Sequence, residues 1–338
     1  MATASSGHRL PWQLGGLLVA LVLVALAFLQ SGLSDFGVAD LLHLLQGDDT
    51  ALASIDRLVV TELRLPRLLA ALLVGAALGC AGCLLQRLTG NPLASPGLLG
   101  LNQGAALGMV FLLVSSWSFT PLNSLVAALV GAAVAMVLVF GVVRLATGGL
   151  AAESLLLFGA LLSTLFGALT TIGLILDQHA LDAIRFWLAG SLSLVEPAQL
   201  APLATLVLTG LALAGLLCRP LQLLETGSDT ARGLGANPRL ILLAVSVVVL
   251  LLTAVSVAVS GPILFVGLVV PHLARLWIGE RLHRQLAGSA LLGALMLAVA
   301  DLAVYQIDND DRLPPGVALA LIGVPWFIWL IRRRYLAQ

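Results

Sequence analysis

Long apolar stretches separated by short polar ones run from one end of the chain to the other, and their lengths predict its elements. A bilayer core about 30 Å thick takes roughly 20 apolar residues per helix. That ruler divides the chain into about ten spans, near residues 13–31, 66–86, 97–114, 121–143, 154–176, 198–218, 240–259, 262–279, 285–306 and 314–331. The uncharged interval between Arg87 and Arg144 must hold two of them, divided by the polar turn Ser115-Ser116-Trp117-Ser118 and by Pro121-Leu122-Asn123-Ser124. Gly261-Pro262 splits the interval from Leu240 to Leu276 into one full span and a remainder that is short or broken. Interrupted helices of that kind line cavities or pathways. The run from Leu14 to Leu29 is long enough to stay as an anchor, and no A-x-A-like cleavage site follows it.

Composition agrees with this pattern. A chain of 338 residues that is 60% hydrophobic and 10% charged cannot hide its apolar surface in a water-soluble core. Zero net charge gives no basic field for nucleic acid. All 17 basic residues are arginine, so a Walker-type phosphate loop, which needs a lysine, is excluded and any ATP is hydrolysed by another chain. Cys80, Cys83 and Cys218 lie in apolar runs without a second ligand pair, and are expected to pack between helices.

The placement of charge sets orientation. With both termini cytoplasmic, the inner connections collect twelve arginines and leave Arg57, Arg64, Arg67, Arg185 and Arg312 outside, as the positive-inside rule favours. Most acidic residues fall on the outer side. Trp12, Trp117, Trp187, Trp277 and Trp329 stand near span ends, where an interfacial aromatic belt belongs. Ten spans divide as five plus five, which predicts an inverted repeat. The fold expected is an all-α membrane protein, a single polytopic domain over residues 1–338 with a cytoplasmic tail at 1–12. Its longest polar connections, Ser31 to Glu62 outside and about 219–239 inside, are the natural docking sites for partners.

Several motifs stand in a characteristic order: Arg64-Leu65-Pro66-Arg67; Asn91-Pro92-Leu93-Ala94-Ser95-Pro96-Gly97; Ala231-Arg232-Gly233-Leu234-Gly235; Gly267 through Pro271-His272 to Arg275; Ala300-Asp301; and Leu313-Pro314-Pro315-Gly316 leading to Pro325-Trp326-Phe327. With these the chain resembles, over nearly its whole length, the FecCD family of membrane subunits of ATP-binding-cassette importers for iron-siderophores, haem and cobalamin. The resemblance implies that Arg64 and Arg67, sharing one outward helix face, receive glutamates of a periplasmic or lipid-anchored binding protein. It implies that Asn91 and Leu93, with the fifth-span start at Glu153 and Ser154, form a cytoplasmic gate. It also implies that Asp229 and Ala231, Arg232, Gly233, Leu234 and Gly235 form the loop pressed on an ATPase dimer. The ATP and magnesium then belong to that ATPase, and the permease itself, paired with a second copy, carries no cofactor, no metal and no covalent chemistry.

Three positions depart from the family pattern. Glu153 stands where a small hydroxyl residue is expected, Tyr305 stands where an arginine is usual, and Arg312 precedes Leu313-Pro314 where the family has an acid, so either a third docking arginine has moved to Arg312 or docking rests on Arg64 and Arg67 alone. Asp301 is the one carboxylate well inside a span, and intramembrane acids suggest function. The rival it raises is a proton-coupled secondary transporter. Structural hydrogen bonding is the expected role, as is packing or capping for the solitary His272, since metal ligands come in constellations. A membrane enzyme would carry clustered His, Asp or Glu at one face, and no such cluster stands near a span end. The reading is a multi-pass permease of the bacterial inner membrane.

Overall fold

The computed structural model describes residues 10–31, 57–115, 117, 118, 120–147, 152–176, 184–308 and 313–335, and among them no strand occurs. The main α-helices among the described residues are α1 (Leu10–Gln30), α2 (Leu65–Thr89), α3 (Leu101–Val114), α4 (Pro121–Thr147), α5 (Ala152–Leu176), α6 (Pro197–Glu225), α7 (Ser228–Gly233), α8 (Pro238–Ser260), α9 (Val266–Ile278), α10 (Leu282–Ile307) and α11 (Pro315–Tyr335), with a further helical turn at residues 184–188. A π-helical turn, Val59–Arg64, leads into α2. Every expected span meets a helix. Seven stretches are long and apolar enough to cross a membrane, while Leu101–Val114, Val266–Ile278 and Pro315–Pro325 are shorter.

The sequence sets many of the boundaries locally. Pro121, Pro197, Pro238 and Pro315 each open a helix, where the missing N–H costs nothing and the fixed φ is already helical. Asn237 caps α8, its Oδ1 accepting from the amides of Arg239 at 3.1 Å and Leu240 at 3.4 Å. α2 ends at Gly90, whose left-handed φ of 62° only glycine adopts freely. Among the boundaries that differ from expectation, two have a clear local cause. α3 begins at Leu101 rather than near residue 97, because Ser95 to Gly100 close into turns, with the Leu99 amide bonding the Ser95 carbonyl and the Leu101 amide that of Pro96. α6 runs on to Glu225, because Leu221 is fully buried against the bundle, so Arg219 lies in a helix and the inner connection starts at Thr226.

α2 is the axis of the bundle: it packs against α6, α8, α9 and α10. The backbones come into direct contact there. A Cβ built on Gly75, Gly79 or Gly82 would overlap backbone atoms of Gly293, Ser289 or Gly267. The rising numbers on α2 meet falling ones on α10, so the two helices are antiparallel. α3 and α4 meet in the same way, Gly104 and Gly108 lying on Gly131 and Ala127.

Helix neighbours also obey the expected exchange of halves. α2 packs on α9 and α10 as α8 packs on α3 and α4, and α3 with α4 mirrors α9 with α10. The outermost helices break the symmetry, since α1 lies on α10 whereas its counterpart α6 lies on α2 and α8. Trp12, Trp117 and Trp277 are exposed, as a lipid belt requires, but Trp187 is buried beneath the end of α8 and is not part of the belt. The side chain of Trp329 lies outside the described residues.

Replacing Gly79 by alanine should destabilise the bundle by about 1–3 kcal/mol through overpacking. The same change at Gly141, which has open space around its Cβ position, should be neutral or stabilising, because alanine is the better helix former by up to about 1 kcal/mol. Thermal unfolding of the two variants in detergent reads this difference, including its sign.

Candidate functional site

Two of the buried, apolar helices, α3 and α9, are too short to span. At 1.5 Å per residue, the 14 residues of α3 and the 13 of α9 reach only about 20 Å. They occupy corresponding places in the two halves, the third helix of each. Each follows an irregular stretch, residues 90–100 and residues 261–265. Non-helical backbone at membrane depth is tolerated only where protein or a cavity surrounds it, and these two stretches surround each other. Asn102 at the start of α3 donates from Nδ2 to the Ile263 carbonyl at 3.2 Å, fully buried. A Cβ at Gly97 would stand 3.0 Å from the Leu264 side chain, and one at Gly159 of α5 would stand 2.9 Å from Leu99 Cα.

The predicted gate residues fall in this region. Asn91 forms an Asx turn, its Oδ1 accepting the Leu93 amide at 2.9 Å, and both residues are half-buried. Ser154 is half-buried in the first turn of α5, and no hydrogen bond joins it to Asn91 among the described residues. The Glu153 side chain lies outside the described residues. The opposing stretch contains Phe265, the one non-glycine residue at positive φ among those described, at 69°. It caps α9, with the amides of Leu268 and Val269 bonding its carbonyl, and its ring occupies the space a side chain at Gly323 of α11 would need.

The two predicted docking arginines sit at one end of α2, and both are more enclosed than expected, with 9% of Arg64 and 7% of Arg67 exposed. Arg67 forms a bidentate pair with the fully buried Asp301 of α10, Nε to Oδ2 at 2.7 Å and Nη2 to Oδ1 at 2.8 Å. The arginine expected on the outward face is thus paired inside the bundle: a carboxylate at that depth needs a partner, and Arg67 supplies it. The structural hydrogen bonding expected of Asp301 is this pair. Arg64 closes the π-helical turn with its guanidinium 3.8 Å from the Tyr305 ring centroid. Tyr305, which departs from the family, thus serves as the ring on which Arg64 stacks. Arg312 lies outside the described residues, as do most of the outer connection and the first nine residues.

At the other end of the bundle, α7 stands out between Gly227, at φ 106°, and Gly235, at φ 81°. Its Asp229 and Arg232 pair at 2.9 Å and are both exposed, while Ala231 is buried and anchors the turn. Sequence reasoning missed the polar network behind it. Pro271 has no amide to give the carbonyl four residues back, and Gln86 of α2 reaches that turn of α9 instead, donating to the Leu268 carbonyl at 3.1 Å. Gln285 donates to the Pro271 carbonyl at 3.0 Å and accepts from Arg87 Nε at 2.8 Å. The signal was available: a glutamine next to the arginine that ends an apolar run, and a proline inside a helix.

No group of three or more His, Cys, Asp or Glu that could hold a metal occurs among the described residues. His272 is half-buried on α9, and the three cysteines are buried and free.

The model of the FecCD transport family matches residues 17–333. The Fe(3+) dicitrate transport system permease protein FecC of Escherichia coli is 42% identical over 284 residues, 82% of this chain and 83% of that protein. The vitamin B12 import system permease protein BtuC of Vibrio cholerae is 39% identical over 290 residues, 85% of this chain and 86% of that one. A solved metal-chelate type ABC transporter in an inward-facing conformation superposes with a TM-score of 0.81 at 28% identity, covering 96% of this chain and 99% of its own.

Removing one member of the Arg67–Asp301 pair, as in Arg67→Met or Asp301→Leu, should destabilise the protein by up to about 3–5 kcal/mol, because the remaining buried charge loses its bidentate partner. The double variant should recover most of that loss. Unfolding midpoints of the three proteins in detergent measure the coupling.

Proposed function

The chain belongs to the FecCD transport family, and we propose that it is the membrane-spanning permease subunit of an ATP-driven importer. Its cargo is an iron chelate such as a siderophore, or a related metal-centred cofactor such as haem or cobalamin. The observation that carries the reading is the meeting of two broken connections, 90–100 and 261–265, inside the bundle. A pair of interrupted segments at corresponding places in two repeats points to the transport pathway. The relatives give the class of cargo, with Fe(3+) dicitrate and vitamin B12 named in FecC and BtuC.

The subunit does no covalent chemistry. With no lysine anywhere, it has no Walker loop, so ATP and magnesium reside on a pair of cytoplasmic ATPase subunits. α7 is their seat: a short helix held out between two left-handed glycines, with Asp229 and Arg232 on its surface. ATP drives transport by favouring one orientation of the pathway over the other, since equal affinity for both would shift nothing. The gate is the Asn91–Leu93 turn with the start of α5 at Glu153 and Ser154.

The arginine-rich end of the bundle, with α7 and both termini, faces the cytoplasm by the positive-inside rule, in a bacterial inner membrane. The opposite end meets a periplasmic or lipid-anchored binding protein. There Arg64, whose charge is not neutralised by the aromatic ring it stacks on, is the leading contact, with Arg312 on the neighbouring connection. Arg67, neutralised by Asp301, positions the helix that carries them. A second permease copy, identical or a sister chain, completes the pathway. The ridge Leu157, Leu161, Leu165 and Leu169, exposed at helical spacing along α5, suits that contact or lipid.

Two outcomes test the reading. The purified chain should hydrolyse no ATP and should copurify stoichiometrically with its ATPase, and Arg232→Glu should strip the ATPase while leaving membrane insertion intact. Reversal of Arg64 to glutamate should slow association of the binding protein about tenfold at low salt and much less at high salt, because unneutralised charge at a docking face acts by long-range steering; stopped-flow binding at two ionic strengths measures it.

A further inference from the structure

At the arginine-rich end the last turn of α2 and the neighbouring ends of α6, α9 and α10 enclose a cavity of about 380 Å³. Its charged lining is Arg87, Arg275 and Glu225, with Gln86 and Gln285 beside them. Most of these groups are committed. Arg87 donates from Nε to Gln285 at 2.8 Å, from Nη1 to Glu225 at 3.3 Å and from Nη2 to the Glu280 carbonyl. The two glutamine amides are spent on carbonyls of α9.

Arg275 is the exception. Its Nε is buried without a hydrogen-bond partner, and no carboxylate among the described residues pairs with it. Two cations and one anion leave the lining with a net positive charge of one, concentrated on a half-buried guanidinium. A buried donor left unpaired costs free energy that an acceptor entering the cavity would recover.

We propose that this cavity is a second docking point for the ATPase subunit and receives an acidic side chain from it, which pairs with Arg275. The inference rests on the reading of the chain as a permease driven by a separate ATPase. Two features select a protein carboxylate from the cytoplasm. The lining runs from the last turn of α2 to Gly90 and Pro92 beyond it, which places the cavity at the face of the bundle where α2 ends. Glu225, which lines the cavity, is the last residue of α6, and α7 begins three residues later at Ser228. An ATPase seated on α7 therefore lies against the cavity mouth. Its carboxylate would join Glu225 near Arg87, four residues before Asn91, so the contact also bears on the helix end that carries the gate turn.

The test uses the permease–ATPase complex, with ATPase retention measured across a salt series and ATP-driven uptake in vesicles. Arg275→Gln and Arg275→Glu should each weaken retention about tenfold or more, while Arg281→Glu, an exposed charge at the same end but outside the cavity, stays near wild type. The glutamine variant is the milder change, and its thermal unfolding midpoint separates a lost contact from a lost fold. Exchanging each Asp and Glu on the permease-facing surface of the ATPase for arginine should identify one that restores retention to Arg275→Glu. Normal retention by both Arg275 variants, or the absence of any restoring exchange, overturns the pairing. Arg232→Glu separates the two readings: if it strips the ATPase while both Arg275 variants keep it, this inference falls and the permease reading stands, and if the wild-type chain never retains the ATPase, the permease reading falls.

Discussion

Apolar side chains gain nothing by leaving lipid for one another, so membrane helices hold together by close van der Waals contact and by the polar groups they satisfy in each other. In this chain that contact is backbone against backbone along α2. Gly75, Gly79 and Gly82 bring it against α10 and α9 with no room for a side chain, and the rest is arranged around this column. The Arg67–Asp301 pair bridges α2 to α10 at one end, and Gln86 and Arg87 tie α2 to α9 and α10 at the other.

The second constraint is the accounting for backbone groups. A bundle of unbroken helices would satisfy every amide and carbonyl internally and leave no way through. Here the chain interrupts itself twice, once in each half, and the exposed backbone is repaired from neighbouring segments: Asn102 serves the carbonyl of Ile263, and Gln86 serves the proline-broken turn of α9. A positive φ at Phe265 is tolerated because the surrounding packing, including the bare surface at Gly323, admits only that arrangement. Strain of this kind persists where the structure around it over-determines it.

Span number, order and fold class were legible because a 3.6-residue repeat in lipid needs only apolar length, and the short α9 was announced by Gly261-Pro262. The late start of α3 was missed although Pro96-Gly97 and Gly100 are turn residues, because Leu98-Leu99 between them reads as the beginning of the apolar run. The overrun of α6 was hidden too, because Arg219 and Pro220 look like a loop until Leu221 is seen packed against the bundle. At the sites, α7 and the Asn91 turn could be found from glycine, proline and asparagine chemistry. The Arg67–Asp301 pair could not, because 234 residues separate its members and nothing local links them. Trp187 misled for a related reason: a tryptophan near a span end reads the same whether it faces lipid or packs under the next helix.

α2 is 25 residues long without a break, a rod of about 37 Å clasped near its middle and bearing the Arg67–Asp301 pair at one tip and the Arg87–Gln285 contact at the other. Rocking such a rod by about 5° on its glycine waist carries each tip by roughly 1–2 Å, in opposite directions. Events at the two membrane faces are then felt together, as at the two arms of a balance, with no relay of side-chain rearrangements between them. The glycines that let the helices touch would also be the fulcrum on which the two faces keep time.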